Sequence, residues 1–173
     1  MAIKYPDGSD SDSGRVIQVQ FTNFGTQYTN SDSPALSNTA FVRTGLSCAI
    51  TPKSTSSKIL IWYDQSWFYQ VNNASTNGTA QGCGLRLYRD STEITSRSSY
   101  NDWYQDIGTS PNQRIHGRTQ SQFLDSPNTT NAVTYKLQMK SDGSAQINFN
   151  AHSASTLSDY ISQSSFTVIE VAA

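Results

Sequence analysis

In the segment AVTYKLQMK (132–140), Val133, Tyr135, Leu137 and Met139 alternate with polar partners. Successive side chains of a strand point to opposite faces, so a period of two marks a half-buried strand. The same pattern recurs along the chain. VIQVQFTNF (16–24) sets Ile17, Val19 and Phe21 against Gln18, Gln20 and Thr22. CGLRLYRD (83–90) sets Leu85 and Leu87 against Arg86 and Tyr88, and AQINFNA (145–151) puts Ala145, Ile147, Phe149 and Ala151 on one face. FVRTGLSCAITP (41–52) reads as a strand closed by Pro52, and RIHGRTQSQFLD (114–125) as extended. Ser141-Asp142-Gly143-Ser144 is a hairpin turn signal between the strands on either side of it. NNASTNG (72–78) reads as a loop, and residues 96–113 as a long pattern-free segment of the kind that covers an end of a sandwich or carries function. No window of eleven or more residues has a helical period. Several short strands with polar turns predict an all-β sandwich or barrel.

A chain of 173 residues is long enough for one domain with a sizeable core. Ser, Thr, Asn and Gln make up about 40% of it, charged residues only 14%, and the net charge is −1. Such polarity can mean disorder, but the apolar alternation confines that reading to the N-terminus. MAIKYPDGSDSDSG (1–14) has no periodicity and is expected to be a flexible arm, followed by a single domain over 15–173. The densest basic cluster, Arg114-Ile115-His116-Gly117-Arg118, is too slight for a nucleic-acid footprint. No stretch reaches the roughly 18 apolar residues of a membrane span, and the N-terminus has no apolar signal region. Cys48 and Cys83 are expected to be buried, reduced thiols. The sequons at Asn73, Asn77 and Asn128 are what chance supplies in so Asn- and Ser-rich a chain.

Motifs that carry chemistry are missing. His116 and His152 have no His or Cys partner at metal-ligand spacing. There is no G-x-S-x-G and no phosphate-cradling glycine loop. Asp102 and Asp106 beside Trp103 and Tyr104 are the nearest approach to a sugar-cleaving pair, an arrangement common in ordinary loops. Asp10-Ser11-Asp12-Ser13-Gly14 resembles the front of a calcium loop, but its closing Glu is absent. The expectation is a non-enzymatic protein with no cofactor and no metal.

What remains is an aromatic concentration. SKILIWYDQSWFYQ (57–70) holds Trp62, Tyr63, Trp67, Phe68 and Tyr69. Ile59, Ile61 and Tyr63 oppose Leu60 and Trp62, so this strand is apolar on both faces. The terminal FTVIEV repeats the feature, with Phe166 and Val168 opposing Ile169 and Val171. A sandwich buries only one face of each sheet, so two such strands predict that one sheet is covered again, most simply by a partner subunit. Leu60, Trp62, Ile169 and Val171 are the expected interface residues. Trp67, Tyr69, Trp103 and Tyr104 are the aromatics that could instead line a carbohydrate site, since Trp and Tyr stack on sugars.

The segment TGLSCAITPKSTSSKILIWY (44–63), followed by LRLYRDST (85–92), TYKLQMKS (134–141), AQINFNA and SFTVIEVAA (165–173), resembles a module of tail-fibre, knob and other virion proteins of bacteriophages, especially marine and cyanobacterial ones. The resemblance runs from about Arg15 to Ala173. It implies a jelly-roll β-sandwich of about eight to ten antiparallel strands, similar to tumour-necrosis-factor and complement globular-head domains, which assemble as homotrimers. It implies a virion location, with one sheet of each subunit facing the threefold axis. Phage fibres carry such a module behind a long shaft, whereas about 14 residues precede it here. That suggests a capsid decoration, knob or tail accessory whose arm, with Tyr5, Pro6 and Asp7, is the tether to a capsid or tail protein. A host-surface glycan is a further possible partner; no nucleic acid or membrane is expected.

Overall fold

The computed structural model describes residues 3–4, 10–11, 14–26, 42–72, 80–95, 103–106, 112–142, 146–150 and 162–173. All regular structure among them is β. The strands are β1 (Ile3–Lys4), β2 (Asp10–Ser11), β3 (Val16–Phe24), β4 (Val42–Ile50), β5 (Lys58–Asn72), β6 (Ala80–Arg89), β7 (Thr92–Glu93), β8 (Trp103–Asp106), β9 (Asn112–Asp125), β10 (Val133–Asp142), β11 (Gln146–Phe149) and β12 (Ser164–Val171).

β1 and β2 pair only with each other, antiparallel, so residues 3–4 and 10–11 have backbone partners that the composition of the arm did not suggest. The remaining strands form two sheets. In one, β10 lies between β4 and β6, and β6 pairs along its other edge with β7 and β8. In the other, β12 lies between β3 and β5; β9 pairs along the far edge of β5, and β11 takes over from β12 where β5 runs past it. Every pairing is antiparallel.

The strand order gives the winding. Set aside the short β7 and β11, and the eight strands from β3 to β12 form nested pairs: first with last (β3–β12), second with seventh (β4–β10), third with sixth (β5–β9) and fourth with fifth (β6–β8). The chain crosses from one sheet to the other at each of the steps β3–β4, β4–β5, β5–β6, β8–β9, β9–β10 and β10–β11. This is a jelly roll, the two-sheet solution that wraps a folded ribbon of strand pairs around one core.

Two local expectations are corrected. The turn signal at 141–144 does not join a hairpin: β10 belongs to one sheet and β11 pairs with β5 in the other, and residues 143–145 between them lie outside the described residues. The span 96–113 is not pattern-free throughout, because β8 pairs with β6 and β9 already begins at Asn112.

The core lies between the sheets and follows the period of two. One sheet contributes Leu46, Cys48, Ile50, Leu85, Leu87, Val133, Tyr135, Leu137 and Met139; the other contributes Ile59, Ile61, Tyr63, Trp67, Phe149, Phe166 and Val168. Tyr63 and Phe166, direct cross-strand partners, stack with centroids 6.2 Å apart. Cys48 is free and buried. It lies level with Tyr135, and Cys83 level with Ser141, six residues along the same strand. That is about 20 Å of strand, too far for an intrachain disulfide.

Buried polar groups tie the sandwich together. Arg89 of β6 and the Tyr135 hydroxyl both donate to Asp125 Oδ2 of the opposite sheet, each at 2.7 Å. Burial first, and the Asp125 carboxylate second, push the Tyr135 hydroxyl pKa far up, so it stays a donor. Glu170, fully buried on β12, accepts from the Gln18 amide at 2.6 Å and from the Lys53 backbone N–H at 2.7 Å.

Candidate functional site

The β3–β12–β5–β9 sheet has an outer face that the core does not use. Register places its residues in rows across the strands. One row is Val19, Ile169, Leu60 and Leu124. A second, on one side of it, is Val16, Val171 and Lys58. On the other side come Phe21, Thr167, Trp62 and Gln122, and then Asn23, Ser165, Asp64 and Gln120. The face is therefore apolar at one end and polar at the other.

Exposure sets this face apart. Among the described residues, the large apolar side chains at least half exposed are Val16 at 56%, Val19 at 53%, Phe21 at 58%, Trp62 at 50% and Leu124 at 57%, and all five lie on it. Together they leave on the order of 400–500 Å² of apolar surface in water, within the range of the largest patches on soluble monomers, which are often functional. The outer face of the other sheet carries Lys136, Tyr88 and Glu93 in one row, with Gln138 and Arg86 in the next; Arg86 pairs with Glu93 at 2.6 Å. One outer face is built for water and the other is not.

β3 explains half of this asymmetry. Its period of two is real, but its apolar set points outward. Val19 and Phe21 are exposed, while Gln18, Gln20 and Thr22 share the side of the core residues Val168 and Phe166. The apolar side of this half-buried strand thus faces away from the core rather than into it. The physical reason is that Glu170 and the Cys48 strand across from β3 offer hydrogen-bonding partners: Gln18 donates to Glu170 and to the Thr51 carbonyl, the latter at 2.7 Å. A register irregularity between the partners of Glu170 and Val171 puts Val16 on the outer side beside Val171.

The residues expected at an interface sit together here. Leu60, Ile169 and Val171 are half-buried and Trp62 is exposed, all on the outer face. The sequence reading missed Val16, Val19, Phe21 and Leu124, which complete the apolar rows; they carried the right residue types, but alternation alone does not say which face meets a core.

The aromatics expected to line a carbohydrate site are dispersed. Trp67 is a core residue and does not line such a site: it is 4% exposed, its indole lies over Gly117, and its Nε1–H donates to Thr119 Oγ1 at 3.0 Å. Tyr69 lies on β5 opposite Ile115 and Ile147. Trp103 and Tyr104 lie on β8 opposite Cys83 and Gly82. The side chains of these three are outside the described residues, as are Tyr5, Pro6 and Asp7.

At the polar end of the outer face is a depression of about 210 Å³, lined by Trp62, Asp64, Gln120, Ser165 and Thr167. Arg118 fixes its carboxylate: Nε donates to Asp64 Oδ1 at 2.8 Å and Nη2 to Oδ2 at 2.7 Å, while Nη2 also reaches the Gln163 carbonyl at 2.8 Å. Among the described residues no three His, Cys, Asp or Glu side chains gather as metal ligands do.

No protein-family model matches the chain, and no curated protein matches it. Among solved structures it is similar to VP2 of an infectious bursal disease virus subviral particle, with 13% identity and a TM-score of 0.42 over 96% of this chain and 39% of that one. A structure of the Gx strain of infectious bursal disease virus aligns with 12% identity and a TM-score of 0.35 over 100% of this chain and 41% of that one. The T13 particle of the same virus gives 12% identity and a TM-score of 0.35, with 96% and 37% covered. The chain spans about two fifths of the length of these proteins, and the jelly-roll assignment rests on its own strand order.

Proposed function

We propose that the chain is a non-enzymatic structural protein of a bacteriophage virion, a capsid decoration, knob or tail-fibre accessory, and that it works as a homotrimer on the particle surface. The observation that carries this reading is the apolar outer face of the β3–β12–β5–β9 sheet. Its apolar row runs from β3 at one edge to β9 at the other, so a neighbour approaching either edge meets apolar surface. A closed ring of three lets each copy bury this surface against two others and leaves no open contact for further growth. The five exposed side chains supply about half of the roughly 800 Å² per partner of a standard interface, and the half-buried Leu60, Ile169 and Val171 add to it. The phage assignment comes from the resemblance of residues 44–63 and 85–92 to virion modules. The arm, with Tyr5, Pro6 and Asp7, is the proposed contact to a capsid or tail protein.

Light scattering across a range of concentrations tests the trimer. The expected mass is three times 19.0 kDa, falling to one copy in a Val19→Lys, Leu124→Lys double variant. Both side chains are more than half exposed, so the variant should keep the fold and its circular dichroism. A wild-type protein that stays monomeric at every concentration would sink the proposal.

A further inference from the structure

We infer that the depression beside Trp62 binds one pyranose ring of a glycan. A pyranose presents an apolar C–H face and a rim of hydroxyls that both donate and accept. The depression offers the counterpart of each. Trp62 is half exposed, so its ring is available as a flat apolar platform at the boundary between the apolar and polar ends of the outer face. Around it stand a carboxylate, an amide and two hydroxyls: Asp64, Gln120, Ser165 and Thr167. Asp64 is held by the paired donors of Arg118, and a carboxylate has about four acceptor positions, so capacity remains for a sugar hydroxyl. A fixed acceptor needs little ordering on binding, which is where weak sites lose most of their affinity. The volume of about 210 Å³ is below the roughly 300–1,000 Å³ of sites for drug-sized ligands and suits one ring rather than an extended chain.

The same register explains why the site can coexist with a subunit contact. The row of Val19 is apolar across the sheet and Val16 and Val171 extend it on one side, ending at Lys58; on the other side the rows of Phe21 and Asn23 turn polar at Thr167, Gln122, Ser165, Asp64 and Gln120. Subunits packed on the first two rows leave the Trp62 depression at the rim. At about −0.3 kcal/mol per non-hydrogen atom, one ring on one site gives a dissociation constant on the order of 1 mM. Sites repeated on an oligomer raise the affinity for a multivalent surface by about 10²–10⁴, and the inference rests on the proposed trimer for that gain alone.

The test uses the full chain and the methyl glycosides of glucose, galactose, mannose and N-acetylglucosamine. Three tryptophans give three indole N–H signals in a nitrogen-correlated NMR spectrum, and the signal lost in Trp62→Ala identifies Trp62. At least one glycoside should shift that signal saturably, leaving the buried Trp67 signal in place. Saturation transfer to the same glycoside should fall at least tenfold in Trp62→Ala and in Gln120→Ala, an exposed position on an edge strand, with the light-scattering mass unchanged. The inference is overturned if none of the glycosides moves the Trp62 signal, or if binding survives both substitutions. It is also overturned if Trp62→Ala lowers the mass, because the depression is then a subunit contact. The wild-type mass reads the trimer separately, so the two proposals fail independently.

Discussion

Gly117 shows how much one missing side chain decides. It sits on β9 directly opposite Trp67 of β5. A Cβ there would overlap the indole ring, with atoms Cζ2, Cη2 and Cε2 all in the way. The absent side chain lets Trp67 lie flat across the neighbouring strand, where its N–H reaches Thr119, two residues further on. Trp67 is buried, so it has little freedom to retreat. Gly117→Ala should therefore destabilise the fold by about 1–3 kcal/mol, the usual cost of overpacking a dense core, despite alanine's better strand propensity. Urea unfolding followed by tryptophan fluorescence would measure it; an unchanged or raised midpoint would show that the indole can move.

At the scale of elements, β12 joins three parts of the sandwich through one carboxylate. Glu170 takes the Gln18 amide of β3 and the Lys53 N–H of the segment between β4 and β5. Burial works to raise its pKa, but the hydrogen bonds from the Gln18 amide and the Lys53 backbone N–H, with the nearby Ser57 and Ser54 dipoles, outweigh it and hold the group below the ordinary value of 4.5. A carboxylate with a depressed folded-state pKa adds stability that is fully present above the unfolded pKa and disappears as pH falls through the folded one. Thermal unfolding should thus show a loss of stability setting in below about pH 4.5. Glu170→Gln should cost about 1–3 kcal/mol at pH 7, the scale of hydrogen bonds to a charged group, and should flatten the acid limb. An acid limb identical in the two proteins would refute the assignment.

The same strands show what alternation can and cannot tell. For β10 the period of two named the core side correctly, because Val133, Tyr135, Leu137 and Met139 form the apolar set and are buried. For β5 and β12 two apolar faces were read, and the outward Leu60, Trp62, Ile169 and Val171 lie on one surface. For β3 the rule pointed the wrong way. Its polar set faces a carboxylate on the adjacent strand, a partner about 150 residues away in sequence, and no local window contains it. β8 and the change of sheet between β10 and β11 escape local reading for a related reason: pairing partners are non-local, so a turn signal does not say whether the next strand returns to the same sheet. The Trp62 depression draws on β5, β9 and β12 and becomes visible only once their register is known.

At the scale of the molecule, the jelly roll brings both ends of the domain to one place. Gly14 donates to the Ala172 carbonyl at 2.8 Å, and Ala172 donates to the Arg15 carbonyl at 2.9 Å. The start of β3 is thereby fastened beside the end of β12, in the sheet that carries the apolar outer face. A tether leaving from Gly14 departs next to the Val16 and Val171 row, so in a closed trimer the three arms would emerge close to the subunit contacts and could engage a particle together. Three weak attachments acting jointly hold far better than one. Removing residues 1–13 keeps the Gly14 bond and every core residue, so the shortened protein should retain its unfolding midpoint and its trimeric mass while losing co-sedimentation with particles. The Val19→Lys, Leu124→Lys variant should show the complementary loss: intact arms, single copies, and binding weakened by orders of magnitude. If the shortened protein still co-sediments, attachment runs through the folded domain; if the monomeric variant binds as tightly as the trimer, each arm acts alone and the argument from joint attachment fails.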